Sequence, residues 1–369
     1  MSPNILIPMA VAIGIPLVFL YVVRRLDLYA SGGFQVVVSC FAGGLAAFPL
    51  AFVVNTSALK LSIALLGLSS AAALLLIKTV VAPVVEEIGK SLALAWHARG
   101  TEFTYFVDGA IYGFAAGTAF AVIENLYYLR SAGDPLGLAV NRAFSTSLMH
   151  GSASALVGVS LGRFRFGRGR TRGFSLLLGW AGAMAVHMSF NRVVNSGPLG
   201  PGLLALAFGI GIGGVVMTMG FIRWGLREEA VWLRETLGLG LGVSQQESDV
   251  VQRLADINTL LAPIEAHFGA ERRAAVERFL RLQAQLGLKA KAVSMATEPE
   301  LRARLEVQTA ELRSQMDVIR REVGVYCMSF VRSILPPDAE PMWQGLERAL
   351  AEAPEPTMNI WQNLGARSD

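Results

Sequence analysis

The stretch DGAIYGFAAGTAFAVIENLYYL, from Asp108 to Leu129, constrains this chain more than any other. It is long enough to cross a bilayer as a helix, which takes about 20 apolar residues, yet it contains Glu124. A charge at membrane depth costs about 2.5–3.5 kcal/mol on insertion scales, and intramembrane carboxylates are usually functional. Glu124 is therefore a candidate functional residue, and we interpret the rest of the chain as its scaffold.

Composition indicates a membrane protein. Hydrophobic residues make up 53% of the sequence and charged residues 16%, with a mean hydropathy of +0.48, whereas soluble domains carry about 25% charged residues. Residues 1–222 hold 14 Lys and Arg against 7 Asp and Glu, and residues 223–369 hold 18 against 21, so net charges of +7 and −3 give the total of +4. The excess of basic residues flanks apolar runs, so no nucleic-acid partner is expected. No disulfide is expected between the distant Cys40 and Cys327.

The apolar runs predict an all-α, polytopic membrane protein with seven or eight transmembrane helices. The runs are about Asn4–Val23, Phe34–Val54, Ser62–Ile77, Val80–Trp96, Asp108–Tyr128, Leu138–Leu161, Phe174–Val194 and Leu203–Ile222. The first lacks the basic n-region of a cleaved signal peptide and is interpreted as a span. Only Lys78 and Thr79 separate the third run from the fourth, so this region is either two spans or one span preceded by a re-entrant or interfacial segment.

Arginine placement predicts the orientation. The segment RFRFGRGRTR (Arg163–Arg172, the arginine loop) is the strongest positive-inside signal in the chain and is expected in the cytoplasm. The last run then emerges on the same side, so the C-terminus is cytoplasmic. Arg24 and Arg25 are also cytoplasmic if there are seven spans with the N-terminus outside, which is the arrangement we favour over eight.

Residues 223–369 contain no spanning run and are expected to form a separate region. Their apolar residues recur at three- and four-residue spacing with charges between them, which predicts amphipathic helices, broken at GLGLGV, SMATEP and ILPPDAEP. We expect a transmembrane domain (1–222) followed by a C-terminal cytoplasmic helical domain (223–369) that regulates activity or forms homo-oligomers. It carries no acid–base cluster, and His267 is interpreted as an ordinary helix residue.

Polar residues also interrupt the run before Glu124. The segment VVEEIGK supplies Glu86, Glu87 and Lys90, and the three- and four-residue spacing lets either carboxylate pair with the ammonium on one helix face. One carboxylate would then stay free. Phe120 shares a helix face with Glu124.

Two later runs each contribute a histidine, His150 and His187, and Asn191 follows His187 on the same helix face. A glutamate in a low-dielectric site can act as a general base near neutral pH, and a histidine can orient water, stabilise an oxyanion or bind a metal. Two histidines and a glutamate would equally make a zinc-type site with an open position for water. Both versions activate water for attack on a carbonyl.

Structural roles and other functions remain open for these residues. Glu86 or Glu87 with Lys90 could be an ion pair at the membrane edge, and either histidine could be an interhelical hydrogen-bond partner. A proton-coupled transporter or receptor would also use buried carboxylates. A third alternative is a catalytically inactive membrane scaffold. The coincidence of polar positions on four separate runs favours hydrolysis.

These residues resemble a known family. VVEEIGK matches an EExxK pattern, FAVIE (Phe120–Glu124) matches FxxxE, and MHG and VHMSFN supply the later histidines, an order similar to the PrsW family of intramembrane proteases, which is related to the CAAX prenyl endopeptidases. The second motif ends in Glu124 where those relatives have His, which favours the PrsW branch. Asn191 stands where an acidic residue is the other usual option, so its role is treated as supporting.

The resemblance implies an endopeptidase that cuts membrane-embedded proteins, typically anti-sigma factors, in a bacterial cytoplasmic membrane. The expected catalytic residues are Glu86, Glu87, Glu124, His150 and His187, with Lys90, Phe120 and Asn191 in support. No cofactor is favoured, because no two of these histidines have HExxH-like spacing on one helix. Zinc remains possible, and its ligands would be Glu124, His150 and His187. The expected partners are the lipid bilayer and a single-span membrane protein substrate.

The predicted orientation also gives each residue a depth. Glu124 and His187 lie near outer helix ends, and Glu86 lies about 9 Å from one at 1.5 Å per residue. His150 lies somewhat deeper, at roughly 18 Å. The site is therefore expected to open toward the extracytoplasmic side, from which water must enter.

Overall fold

The computed structural model describes residues 5–29, 32–166, 170–197, 200–237, 243, 251 and 257–333. Every regular element in these residues is helical. The helices are α1 (Leu6–Arg25), α2 (Phe34–Leu66), α3 (Ser70–Leu76), a π-helical segment (Ile77–Val81), α4 (Ala82–His97), α5 (Phe106–Leu129), α6 (Pro135–Phe144), α7 (Thr146–Phe166), α8 (Arg170–Val194), α9 (Pro201–Thr236), α10 (Ile257–Met295), α11 (Pro299–Val323) and α12 (Val325–Ser333). The break predicted at ILPPDAEP and nearly all of GLGLGV lie outside the described residues.

Five helices of the described chain are long and apolar enough to cross a bilayer. They are Leu6–Arg25, Phe34–Leu66, Phe106–Leu129, Gly173–Val194 and Pro201–Thr236. The chain is therefore an integral, multi-pass membrane protein, as its composition predicted.

The predicted run Ser62–Ile77 is not one helix. Residues 62–66 of this run form the end of α2, which is 33 residues long, and residues 70–76 form the whole of α3. Gly67 turns the chain between them because its φ of 63° is left-handed, a conformation that glycine adopts at no steric cost. The side chain of Ser69 then accepts a hydrogen bond from the backbone of Ala72 and caps α3. From Ser70 to His97 the backbone is continuously helical, with the π-helical segment inside it.

The run predicted at Leu138–Leu161 is also divided. α6 ends at Phe144 and α7 begins at Thr146, with Ser145 between them. The Ser145 hydroxyl donates to the carbonyl of Asn141, the local side-chain bond by which serine competes with a continuous helix.

α5 is the centre of the fold, because 94% of its most apolar 18-residue stretch is buried inside the protein. Its glycines lie against α7, and a Cβ added at Gly113 or Gly117 would overlap the backbone of Ser154 or His150. Small residues thus let the two backbones approach closely. This contact fixes the height of His150 relative to Glu124.

The C-terminal helices pack against the membrane-spanning part. α9 continues to Thr236, so the boundary expected at residue 222 falls inside one helix. Residues at the end of α10 and the start of α11 share a hydrophobic core with residues around the start of α5. These are Ala292, Ala296, Leu301 and Leu305 with Phe103 and Phe106. The buried Lys289 of α10 donates to the carbonyl of Thr101 at 2.6 Å.

Candidate active site

The predicted polar residues converge inside the helical bundle. α4 supplies Glu86, Glu87 and Lys90, α5 supplies Glu124, α7 supplies His150 and α8 supplies His187. All except Glu124 are buried as whole residues, and the Glu124 side chain is 17% exposed. The 3.6-residue helical period puts the α4 residues on its protein-facing side, since Ile88 and Leu92 of the same helix are exposed.

Lys90 lies between the acidic and the imidazole groups. Its Nζ is 2.5 Å from Oε1 of Glu87 and 2.9 Å from Nδ1 of His150, and the side chain is fully buried. The Phe120 ring lies 4.7 Å from the ammonium, so its π face adds a cation–π contact. Because an ammonium can only donate, we infer that Nδ1 of His150 accepts and that its proton is on Nε2.

The other nitrogen of His150 faces Glu124. His150 Nε2 lies 3.0 Å from Oε2 of Glu124, and the inferred tautomer makes the imidazole the donor. Arg142 of α6 holds the same carboxylate oxygen at 2.7 Å, and its Nε donates to Asn125. One hydrogen-bond donor and one ion-pair partner therefore fix the Glu124 carboxylate in place.

Glu87 is the hub of the buried network. It accepts hydrogen bonds from Lys90, from Ser154 at 3.1 Å and from Nδ1 of His187 at 2.9 Å. An ionised carboxylate only accepts, so His187 carries its proton on Nδ1 and keeps the lone pair of Nε2 free. Glu87 is thereby fully occupied in holding α4, α7 and α8 together.

Glu86 differs from Glu87 because its Oε2 has no hydrogen-bond partner among the described residues. This oxygen lies 3.6 Å from Nε2 of His187, the nitrogen left with a free lone pair. Glu86 also lines a cavity of about 210 Å³ that Glu124 lines as well. A buried acceptor without a partner is costly. The two acceptors thus converge on a position that suits a water molecule or a cation.

The donor set fits a catalytic metal. Glu86, His150 and His187 each offer one ligand atom within 4.8 Å of the others, and two imidazoles with one carboxylate are a common zinc set. Both nitrogens of His150 have partners here, so metal binding would replace its hydrogen bond with Lys90 or Glu124. The geometry groups Glu86, rather than Glu124, with the two histidines. Glu87, bound to Nδ1 of His187, would be the outer carboxylate that orients a metal-binding histidine.

The supporting residues have different places. Phe120 packs against the His150 ring at 5.2 Å between centroids and under Lys90. Asn191 instead donates to the carbonyl of Lys78 at 2.9 Å, in the π-helical segment. Asn191 therefore connects α8 with the π-helical segment that precedes α4.

Sequence reasoning missed Arg142 as part of this site. The residue lies inside an apolar run that was interpreted as one span, and its charge was not connected with that of Glu124. The signal that could have found it was a cation in an apolar segment close in sequence to the unpaired Glu124.

Comparison with known proteins agrees with the motif order. A family model described as PrsW family intramembrane metalloprotease matches residues 33–222, just over half of the 369 residues. No curated protein and no solved structure matches the chain. The matched range contains each of the acidic, basic and imidazole groups that converge around Glu87. This match favours a peptidase over a transporter or receptor. The chain belongs to the PrsW family of intramembrane proteases.

Proposed function

We propose that this protease hydrolyses peptide bonds of membrane proteins with water activated at Glu86. The observation that carries this proposal is the contrast between the two adjacent glutamates. Glu87 has three hydrogen-bond donors, whereas Oε2 of Glu86 has none among the described residues. A general base must have a lone pair directed at the water it deprotonates, and Glu86 meets that condition.

In this mechanism a water molecule lies between Glu86 Oε2 and His187 Nε2. Glu86 takes a proton as the water oxygen attacks the scissile carbonyl, and the carbonyl oxygen becomes an oxyanion. Lys90 and Arg142 are the cations that act on Glu86, and they would stabilise this negative charge. The proton then passes from Glu86 to the leaving amine. His150 and Glu124 keep Lys90 and Arg142 in position.

A divalent metal held by Glu86, His150 and His187 would supply Lewis-acid activation of the water when bound. The family description as a metalloprotease and the donor set both support this version. Zinc is the metal that this set prefers. Glu124 would remain outside the ligand set, paired with Arg142.

We propose seven crossings with the site open to the extracytoplasmic side. The stretch from α3 through α4 and the 21-residue α7 would add two crossings to the five apolar helices. Arg163 and Arg165 lie at the end of α7 remote from His150, and Arg165 bonds the carbonyls after α4. The cavity instead adjoins the ends of α2 and α5 that face α3 and α6. The positive-inside rule then puts the cavity outside and residues 223–369 in the cytoplasm.

The substrates would be single-span proteins such as anti-sigma factors in a bacterial cytoplasmic membrane. Residues 223–369 would regulate cleavage or form homo-oligomers, because none of the groups that converge around Glu87 comes from their described part. The proposed catalytic groups all come from residues 1–222.

The test is incubation of the purified protein in liposomes with a panel of single-span membrane proteins, followed by mass spectrometry of new termini. We expect cuts in the outer third of the substrate helix, lost in Glu86→Gln. The control is Glu300→Gln, on an exposed position of α11, which should cleave normally. New termini that persist unchanged in Glu86→Gln would overturn the role of Glu86, and an absence of new termini would favour an inactive scaffold.

A further inference from the structure

The cavity beside Glu86 is lined by aromatic rings, here called the aromatic wall, and by small, aliphatic or polar side chains. The aromatic residues are Phe48, Phe52, Phe120, Tyr127 and Tyr128, and the small or polar residues include Ala51, Ala82, Asn55 and Thr56. The rings contact one another, with centroids of Phe52 and Tyr127 5.5 Å apart. The aromatic wall is therefore a rigid apolar surface next to a catalytic carboxylate.

The cavity is elongated along α2. Its lining extends from Phe48 to Leu59, which is about 16 Å of helix at 1.5 Å per residue. An extended peptide covers about 3.3 Å per residue, so roughly five residues of unfolded chain match this length.

Asn55 is the second unsatisfied acceptor in this cavity. Its Oδ1 is buried and has no hydrogen-bond partner among the described residues, as is true of Oε2 of Glu86. Both residues line the same space. An unfolded peptide in a membrane must satisfy its backbone N–H groups within the protein. An orphan amide oxygen in the cavity is suited to accept one of them.

The cavity wall made by α3 is thin. Leu74 lines the cavity yet is 42% exposed, and Leu75 is 40% exposed. The helix is only seven residues long, with the left-handed Gly67 before it and the π-helical segment after it. π-helical turns are often found at functional sites. A substrate in the bilayer would reach the cavity from this side.

We propose that this cavity binds an extended segment of the substrate, with Asn55 accepting a backbone N–H and the aromatic wall holding an apolar side chain next to the scissile bond. Ala51 and Ala82 set how large that side chain can be. The preferred substrates therefore carry a large apolar residue, Leu or Phe, beside the bond that is cut. This inference rests on the proposed cleavage at Glu86.

The experiment uses full-length protein in liposomes and one cleaved single-span reporter made with Ala, Leu or Phe beside the cut. Ala82→Leu should lower cleavage of the Leu and Phe reporters about tenfold or more, and leave the Ala reporter within about threefold, since single methylene differences in pockets discriminate by about 10–200-fold. Leu92→Phe is the control, at an exposed position of the same continuous helical stretch and outside the cavity lining. It should cleave the three reporters in the wild-type order of preference.

Asn55→Leu tests the backbone contact separately. We expect KM to rise about five- to tenfold for all three reporters with kcat little changed, because one hydrogen bond is worth about 1 kcal/mol. A merely structural role would instead lower kcat and thermal stability together. The proposal is overturned if Ala82→Leu cleaves the three reporters in the wild-type order of preference, or if Asn55→Leu has the wild-type KM. Cleavage by the wild-type protein would in either case leave the role of Glu86 intact.

A binding measurement guards against variants that do not fold. A photo-crosslinking amino acid is placed at Leu59, or at Leu92 as control, in the inactive Glu86→Gln background. The Phe reporter should crosslink from position 59, at peptide positions next to the cut site, and the Ala reporter several-fold less. Equal crosslinking of both reporters from position 59 would contradict the side-chain preference. If no reporter is cleaved by wild-type protein, the proposed function itself fails.

Discussion

The carboxylate of Glu124 and the guanidinium of Arg142 form an ion pair between α5 and α6, with 2.7 Å between Oε2 and Nη2. The pair is nearly buried, at 17% and 16% side-chain exposure. It continues through His150 and Lys90 to Glu87 and His187. One chain of polar contacts thus connects α6 with His187, the imidazole that lies 3.6 Å from the carboxylate proposed to activate water.

Arg142→Gln should lower cleavage about 10–100-fold, the usual effect of removing a group that orients a reacting residue. The loss of stability should be about 1–3 kcal/mol, because Glu124 loses a charged donor. Arg142→Lys should recover part of the activity, since it restores the charge without the second contact, from Nε to Asn125. The measurements are initial rates and thermal denaturation in detergent. Full activity of Arg142→Gln would contradict a positioning role.

Glu86→Gln and Glu87→Gln should separate chemistry from stability. Glu86→Gln should reduce the rate about 10²–10⁴-fold and leave the melting temperature near that of the wild type, since it replaces an acceptor that has no partner. Glu87→Gln should lower both, because Lys90 and His187 lose a buried anionic partner. Melting curves of the two purified variants make the comparison. A destabilised Glu86→Gln beside a stable Glu87→Gln would reverse the assignment.

Metal analysis should distinguish the two possible ligand sets. The metal version of the mechanism predicts about one zinc per chain, with the zinc lost in Glu86→Ala and His187→Ala and kept in Glu124→Gln. Elemental analysis of purified protein measures it directly, and chelator followed by added metal tests whether activity depends on it. Zinc lost in Glu124→Gln and kept in Glu86→Ala would support the set Glu124, His150 and His187. Fully active protein without metal would indicate water activation by Glu86 and His187 alone.

Gly117→Ala tests the contact between α5 and α7. A methyl group there would overlap the backbone of His150 and push the imidazole away from Lys90 and Glu124. We expect strong loss of activity with a cost of about 1–3 kcal/mol in stability, as for other overpacked sites. Gly213→Ala on α9 is the matched control, because no atom lies within 4 Å of the position that its methyl group would take. Equal activity of the two variants would contradict the tight approach.

Lys289 should couple the C-terminal helices to the loop between α4 and α5. It donates to the carbonyl of Thr101 and to Glu102, whereas Lys291 on the same helix pairs with Glu235 nearer the surface. Burial lowers the pKa of Lys289 below its ordinary 10.5. The undocked state then binds more protons between the two pKa values, so docking strengthens as pH rises through that range. Lys289→Met should remove this pH dependence in melting curves, and Lys291→Met should keep it.

The role of the C-terminal region (residues 223–369, the tail) can be tested by truncation. Deletion of Gly238–Asp369 should leave the cleavage chemistry intact, because the proposed catalytic groups lie in residues 1–222. We expect the change to fall on substrate choice or assembly instead. Loss of all cleavage in a truncated protein that remains folded and inserted would show that the tail is needed for chemistry.

The sequence was sufficient for the helical class and for the residues that meet in the bundle. Apolar length predicts spanning helices, and the cost of charge in a bilayer singles out Glu86, Glu87, Glu124, His150 and His187 without knowledge of their neighbours. The turn at Gly67 could not be placed, because apolar residues continue on both sides of it. Hydropathy alone does not distinguish a turn within an apolar run from a helix that continues.

The partners of the glutamates were also beyond sequence reasoning. Spacing allows Lys90 to pair with Glu86 or Glu87 equally well, and only the positions of Ser154 and His187 decide in favour of Glu87. The same holds for the metal set, since the distance from either glutamate to the histidines depends on how α4 and α5 pack. The membrane boundary and the roles proposed for these residues stay predictions.

The enclosure of α5 has a consequence for biosynthesis. α5 leaves the ribosome before α7, α8 and α9 exist, so its glycine face and Glu124 are first presented to the insertion machinery without those neighbours. Arg142 follows only 18 residues after Glu124, and it is the first cation of α6 that can neutralise it. We expect α5 and α6 to enter the membrane as a pair, so that the arginine assists insertion before any substrate is met.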